Sequence, residues 1–272
     1  MKYLLCLFIG FFTTILCAQV KVEKLKTVSS QWPEDSPALS PDGQQLMFLR
    51  SQTREWPQQA YRSVYSIALT NVDQPVVVGI DSVYTVSFGR EGKSLFLSRR
   101  LVRQSGDEIT LYEAKFTRGG WQLTNITARD GLQASYAHQV ADGSLYLFQY
   151  DGSEGTGIYR AQWNGQQFGK PIWQGATLSP PKTTSFSPYV CPDESAMLLT
   201  IYYEEDGEKG RTGIYWAQKT EEGWKKHQIE GLPYGWGMNV DPQGRFLYYT
   251  DGEDILKVEL ETLNIPFSCS VR

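Results

Sequence analysis

Three aspartates, two histidines and a recurring set of aromatic rings are the residues of this 272-residue chain whose types and spacing could do chemistry. Asp35, Asp81 and Asp130 each stand near the start of a short apolar segment, 46 and then 49 residues apart. Two carboxylates facing each other across a sugar, roughly 5 to 10 Å apart, are what a glycosidase requires. The next two segments of the same spacing begin Lys182-Thr-Thr-Ser185 and Pro233-Tyr-Gly235 and bring no acid. The other reading of these aspartates is structural, since Asp caps turns by bonding nearby backbone N–H groups. His138 sits on one of the apolar segments, as a base, a ligand or a satisfied polar residue. His227 lies in a polar stretch and reads as solvated. Two histidines this far apart do not make a zinc site. The run Glu204-Glu205-Asp206-Gly207-Glu208 offers oxygen ligands for calcium but reads first as a solvated loop tip. No Gly-x-Ser-x-Gly elbow and no phosphate-cradling loop occur in the sequence. The expectation is therefore no catalytic group, no metal and no cofactor.

The aromatic residues Tyr84, Tyr136, Phe186, Tyr189, Tyr234 and Trp236 fall on or just before the same apolar segments. Aromatic faces with a few polar groups suit carbohydrate or peptide recognition. The same rings would also serve to plug a narrow channel. Arg54 and Trp56, in the polar stretch 51–57, are of the types that dominate protein-interface energetics. The candidate ligand-binding residues are thus Asp35, Arg54, Trp56, Asp81, Tyr84, Tyr136, His138, Phe186, Tyr234 and Trp236.

Positioning these residues falls to a repeat. Ser36-Pro-Ala-Leu-Ser-Pro41-Asp42-Gly43 is followed by apolar Leu46-Met-Phe-Leu49, and related turns recur at Glu91, Asp142, Asp193 and Gln243. The separations of 49, 51, 51 and 50 residues mark a repeat architecture. Pro presets φ, Asp bonds its own backbone and Gly tolerates positive φ, so each turn joins two antiparallel strands. The second strand of each unit is apolar throughout, which predicts cover on both faces. A third, alternating strand follows with Val64-Tyr65, Leu111-Tyr112, Ile158-Tyr159, Ile214-Tyr215 or Ile255-Leu256, and a polar fourth strand lies outermost. Four-stranded antiparallel sheets repeated radially make a β-propeller, here all-β and five-bladed. The fifth unit lacks an outer strand. The alternating stretch Val20-Lys-Val22-Glu-Lys-Leu25 supplies one and closes the ring, with the tail 264–272 as the alternative.

The Pro-Asp-Gly turns, best seen at Ser36 to Gly43 and at Phe186-Ser-Pro-Tyr-Val-Cys-Pro192-Asp193-Glu194-Ser195, resemble the TolB-type, WD-like propeller repeat. Units two, three and five depart from the motif. The resemblance implies a stand-alone secreted propeller and is silent on chemistry.

Residues 3–17 are apolar after Lys2 and end in Leu16-Cys17-Ala18, too short for a comfortable span and suited to a signal peptide, 1–18, with a mature domain 19–272. Lipidation at Cys17 is disfavoured by Thr14-Ile-Leu16 before it, which lacks the usual small residue. The expected location is periplasmic or extracellular. A net charge of −4 without strong clustering argues against nucleic acid, and the basic spots Arg99-Arg100-Leu-Val-Arg103 and Lys225-Lys226 read as solvated. Export permits a disulfide between Cys191 and Cys269, the tail spanning roughly 20 Å when extended. The residues alone slightly favour a buried Cys191 and a free Cys269. The function implied is a non-catalytic binding or scaffold propeller engaging an envelope or extracellular protein, or a glycan. The alternative is a small carbohydrate-active enzyme using Asp35, Asp81 or Asp130.

Overall fold

The computed structural model describes residues 20–55, 61–70, 74–103, 107–267 and 269. The leader expected over 1–18 and the interface candidate Trp56 lie outside the described residues. Among the described residues, no helix is long and apolar enough to cross a membrane.

Five four-stranded antiparallel sheets form the blades. Blade 1 holds β2 (Glu34–Leu39), β3 (Gln45–Arg50), β4 (Ser63–Ala68) and β5 (Val76–Val77). Blade 2 holds β6 (Thr85–Phe88), β7 (Ser94–Leu101), β8 (Glu108–Thr117) and β9 (Gly120–Asn125). Blade 3 holds β10 (Ser135–Gln139), β11 (Leu145–Gly152), β12 (Gly155–Ala161) and β13 (Ile172–Trp173). Blade 4 holds β14 (Thr183–Val190), β15 (Ala196–Tyr203), β16 (Gly213–Thr220) and β17 (Gly223–Gln228). Blade 5 holds β18 (Trp236–Val240), β19 (Phe246–Thr250) and β20 (Ile255–Glu259), and β1 (Val22–Lys24) pairs with β20 as its outer strand. The N-terminal strand thus closes the ring, as its alternation predicts.

The apolar second strands are buried because each is covered by both neighbouring blades. Five clusters of buried side chains lie one between each adjacent pair, including Met197, Leu199 and Ile158 between blades 3 and 4. Leu46, Phe48 and Tyr248 pack between blades 5 and 1. All five turns also share one bond, from Gly43, Gly92, Gly143, Glu194 and Gly244 N–H to the carbonyl three residues earlier. These five residues are left-handed, with φ between 58° and 88°. Units two, three and five therefore keep the geometry although their sequences differ. Where position 243 is Gln, Asp241 supplies the carboxylate, accepting from Arg245 and Phe246 N–H at 2.6 and 2.8 Å.

Two departures from expectation concern the outer region. The outer strand expected in blade 3 is only β13, two residues long, and Phe168 before it pairs by an isolated bridge with Trp163. The segment before β10 contains a one-turn helix, α1 (Ile126–Asp130), with the Asn125 carboxamide accepting from Ala128 N–H. Cys191 and Cys269 are joined in a disulfide, Cα to Cα 5.0 Å, so Cys269 is not free. The tail leading to it lays Ile265 and Phe267 on the core between blades 4 and 5.

Candidate functional site

The innermost strands are not regular. Register shifts interrupt β2 between Asp35 and Ala38, β10 between Ser135 and His138, β14 between Phe186 and Tyr189, and β18 between Trp236 and Asn239. At each shift one residue takes positive φ: Ser36, Tyr136, Ser187 or Gly237. Bulges of this kind re-aim side chains. Here each one turns the residues after it relative to those before it.

The end reached by the loops that lead into the inner strands is an aromatic mouth. Tyr136 contacts Tyr84 (ring centroids 5.9 Å), Phe186 (5.5 Å) and Phe148 (6.4 Å). Phe148 continues to Tyr150 at 6.0 Å, and Tyr234 packs on Trp236 at 5.8 Å. Tyr150 at 67 % and Tyr234 at 39 % stand open to solvent, as does Tyr202 at 41 %, which pairs with Thr184 at the start of β14. Burial, with the Tyr202 and Tyr84 hydroxyls near it, pushes the Tyr234 hydroxyl up to about 12. Burial also raises the Tyr136 hydroxyl, helped by Tyr84 and Asp35. These phenols are neutral donors at neutral pH.

Beneath the rings lies Asp35, 3 % exposed. Its carboxylate is paired with Arg62 Nη1 at 2.9 Å and accepts from Trp236 Nε1 at 2.9 Å, and from the Ser36 backbone and hydroxyl. Asp35 thus ties blade 1 to blade 5 and fixes the Trp236 ring. Glu34 beside it is fully buried, bonded to Ser30 and to Arg50 Nε at 3.1 Å, with its carboxyl raised by burial. A group so enclosed does not meet a substrate.

The other acids do not join Asp35. Asp81 is exposed and accepts from the Ser63 hydroxyl at 2.6 Å. Asp130 is held bidentately by Arg129, both contacts 2.7 Å, and accepts from Phe168 N–H at 3.1 Å. It therefore caps the backbone beside the β12–β13 connection, the structural role weighed for it from sequence. Among the described residues no group of three metal-ligating side chains occurs. In the acidic run, Glu205 pairs with Lys182 and Glu208 with Arg211.

His138 is not at the mouth. It pairs with Tyr146 one position from the turn, at the far end of the channel, bonds the Val190 carbonyl at 2.9 Å and packs on Tyr189 at 4.8 Å. Desolvation lowers its pKa to about 4. Tyr189 lies at the same far end, against Phe267 of the tail. Arg54 reaches Glu253 at 2.6 Å and the Gln31 carbonyl at 3.3 Å, clasping blade 1 to blade 5 at the rim.

Sequence reasoning missed Phe148, Tyr150, Tyr202, Arg62 and Arg100. Tyr150 and Tyr202 lie near the ends of apolar second strands, where emergence from the sandwich is the available signal, whereas Phe148 is buried in mid-strand. Arg62 and Arg100 are disclosed only by partners from other elements. Arg100 lies 5.2 Å over the Tyr84 ring and pairs with Asp107, while Arg99 lies 5.2 Å over Tyr112. The basic spot expected to be solvated is thus engaged with rings.

No family model matches the chain, and no curated protein matches it. Among solved structures it is similar to a gluconolactonase from Xanthomonas campestris, at 10 % identity over 88 % of this chain and 89 % of that one, TM-score 0.50. It is also similar to the GH43_1 enzyme from Xanthomonas citri complexed with xylotriose, at 11 % identity over 88 % and 89 %, TM-score 0.50. A hypothetical protein from Leishmania major gives 12 % identity over 84 % of each chain, again with TM-score 0.50. At these identities the likenesses concern the propeller fold alone.

Proposed function

We propose that the chain is a non-catalytic binding propeller of the TolB type, working outside the cytoplasm, whose ligand seats on the aromatic mouth. The observation that carries this reading is the group of rings from Tyr84 through Tyr136, Phe186 and Phe148 to Tyr150, beside the Tyr234–Trp236 pair, with Tyr150, Tyr202 and Tyr234 open to solvent. Tyrosine offers large, fairly rigid contact area with a polar tip. Catalysis by paired carboxylates is disfavoured because Asp35, Asp81 and Asp130 are each engaged by different partners. Export is supported by the apolar leader and agrees with the Cys191–Cys269 disulfide.

The test compares residues 19–272 with a Tyr150→Ala/Tyr234→Ala variant, in pull-downs from envelope extract and on a glycan array. Both tyrosines are exposed, so the variant should melt within a few degrees of the parent. Loss of the captured ligand in the variant supports the mouth as the site. Capture that survives both substitutions refutes it, and release of new reducing ends from a bound glycan refutes the non-catalytic role.

A further inference from the structure

The second basic spot of the sequence, Lys225-Lys226, is not uniformly solvated. Lys226 lies on β17, the outer strand of blade 4, across from Ala217 of β16. It lines a groove of about 660 Å³ with Thr177, Glu221, Glu222, Trp224 and Lys225. Lys226 is half-buried, and its Nζ donates to the Thr177 carbonyl. No carboxylate holds its proton. Lys24, Lys93, Lys115, Lys182 and Lys219 each have a carboxylate within 3.5 Å, which favours the charged amine. Among the described residues Lys226 has no such partner, and neither Glu221 nor Glu222 pairs with it. The centroid of the Tyr215 ring lies 5.9 Å from its Nζ. The Tyr215 phenol, pushed up to about 12, stays neutral and donates to the Arg211 carbonyl. The nearby charge is the Arg211 guanidinium, of the same sign and itself paired with Glu208 at 2.6 Å. Burial first, and then Arg211, bring the Lys226 amine from the usual 10.5 down to about 8. About a tenth of it is therefore unprotonated at pH 7, against about one part in three thousand for an ordinary lysine. Desolvation beside a second cation is one way a protein makes a lysine nucleophilic towards carbonyl compounds.

We propose that Lys226 is a covalent attachment site, taking an aldehyde into the groove as an imine. Donating one N–H to Thr177 leaves the lone pair of the neutral amine available. That lone pair adds to the aldehyde carbon, forming the C–N bond, and a proton passes from nitrogen to the former carbonyl oxygen. The carbinolamine then loses this oxygen as water, its C–O bond breaking as the C=N bond forms. Glu221 and Glu222, lining the same groove, are carboxylates able to relay the proton that leaves nitrogen. The step needs no oxidant or reductant, and its site stands on an outer strand, apart from the aromatic mouth.

The experiment treats the folded protein with butyraldehyde and sodium cyanoborohydride, which fixes an imine as a secondary amine. Peptide mass mapping reads the rate at each lysine from pH 7 to pH 10. The expected result at pH 7 is alkylation of Lys226 at least about tenfold faster than of Lys225, its exposed neighbour. The ratio should shrink towards pH 10, where ordinary lysines lose their protons as well. Lys226→Arg keeps the charge and should remove the fast site alone, with the melting temperature unchanged. Equal rates at Lys225 and Lys226 at pH 7 overturn the proposal, as does a ratio that stays constant with pH. Selective acetylation of Lys226 by N-hydroxysuccinimidyl acetate, without selective alkylation by the aldehyde, also overturns it and leaves a reactive amine of another specificity.

Discussion

Replacing Arg62 by Met isolates the contact that fixes the mouth. Asp35 is 3 % exposed, and Arg62 is its charge partner at 2.9 Å. The Met side chain fills much of the same space and supplies no charge. The Asp35 carboxylate would keep Trp236 Nε1 and the Ser36 groups but lose its cation inside the protein. Breaking a buried pair from one side costs about 3–5 kcal/mol, because the remaining charge stays uncompensated. For a domain of this size that corresponds to roughly a 10 °C fall in melting temperature. Asp35→Asn combined with Arg62→Met removes the stranded charge and should recover at least about half of the loss. Urea unfolding of the four proteins of the cycle, read by tryptophan fluorescence, gives the coupling directly. Single-variant losses below about 1 kcal/mol, or a double variant no better than Arg62→Met, would show that Asp35 is solvated in solution. Trp236 would then not be held rigid by Asp35.

Three further outcomes are expected. Gly43→Ala should destabilise by about 2 kcal/mol, since φ is +71° and the new Cβ would sit 2.8 Å from Pro242 Cδ of the blade 5 turn; an unchanged denaturation midpoint would contradict the turn packing. His138 has a folded pKa of about 4 against an ordinary 6.5, so the unfolded chain takes up its proton first as pH falls. The stability it contributes is complete above about pH 6.5 and is lost progressively towards pH 4, by about 3 kcal/mol. His138→Gln should flatten that part of the stability–pH curve, and a parallel curve would remove His138 as its source. Reducing the disulfide, which spans a sequence separation of 78 residues, should cost about 4 kcal/mol. Cys269→Ser should melt at the temperature of the reduced parent; a thermal shift absent on reduction would mean that the tail contributes nothing to the closed ring.

The five-fold repeat was legible because its cause is local. Pro41-Asp42-Gly43 encodes a turn within a few residues, and Leu46 to Leu49 declares a strand covered on both sides. Blade count, strand order and closure by Val22–Lys24 follow from such short-range signals together with the need to cover an open edge. The aromatic mouth was legible in part. Tyr84, Tyr136, Phe186, Tyr234 and Trp236 were visible as rings at segment starts, whereas Tyr150 and Tyr202 looked like the ends of buried strands.

Tertiary structure alone decided what each inner residue meets, because single-residue bulges at Ser36, Tyr136, Ser187 and Gly237 re-aim the residues that follow. His138 and Tyr189, late in their strands and beside the turns, meet the Val190 carbonyl and the tail at the far end of the channel. It alone decided the state of the acids as well. Asp35 meets Trp236, 201 residues away, only once blade 5 closes on blade 1, and Asp130 turns to Phe168 in its own blade. A carboxylate's role depends on what stands within hydrogen-bond distance of it. For Asp35 one of those neighbours comes from a distant repeat, which no local pattern records.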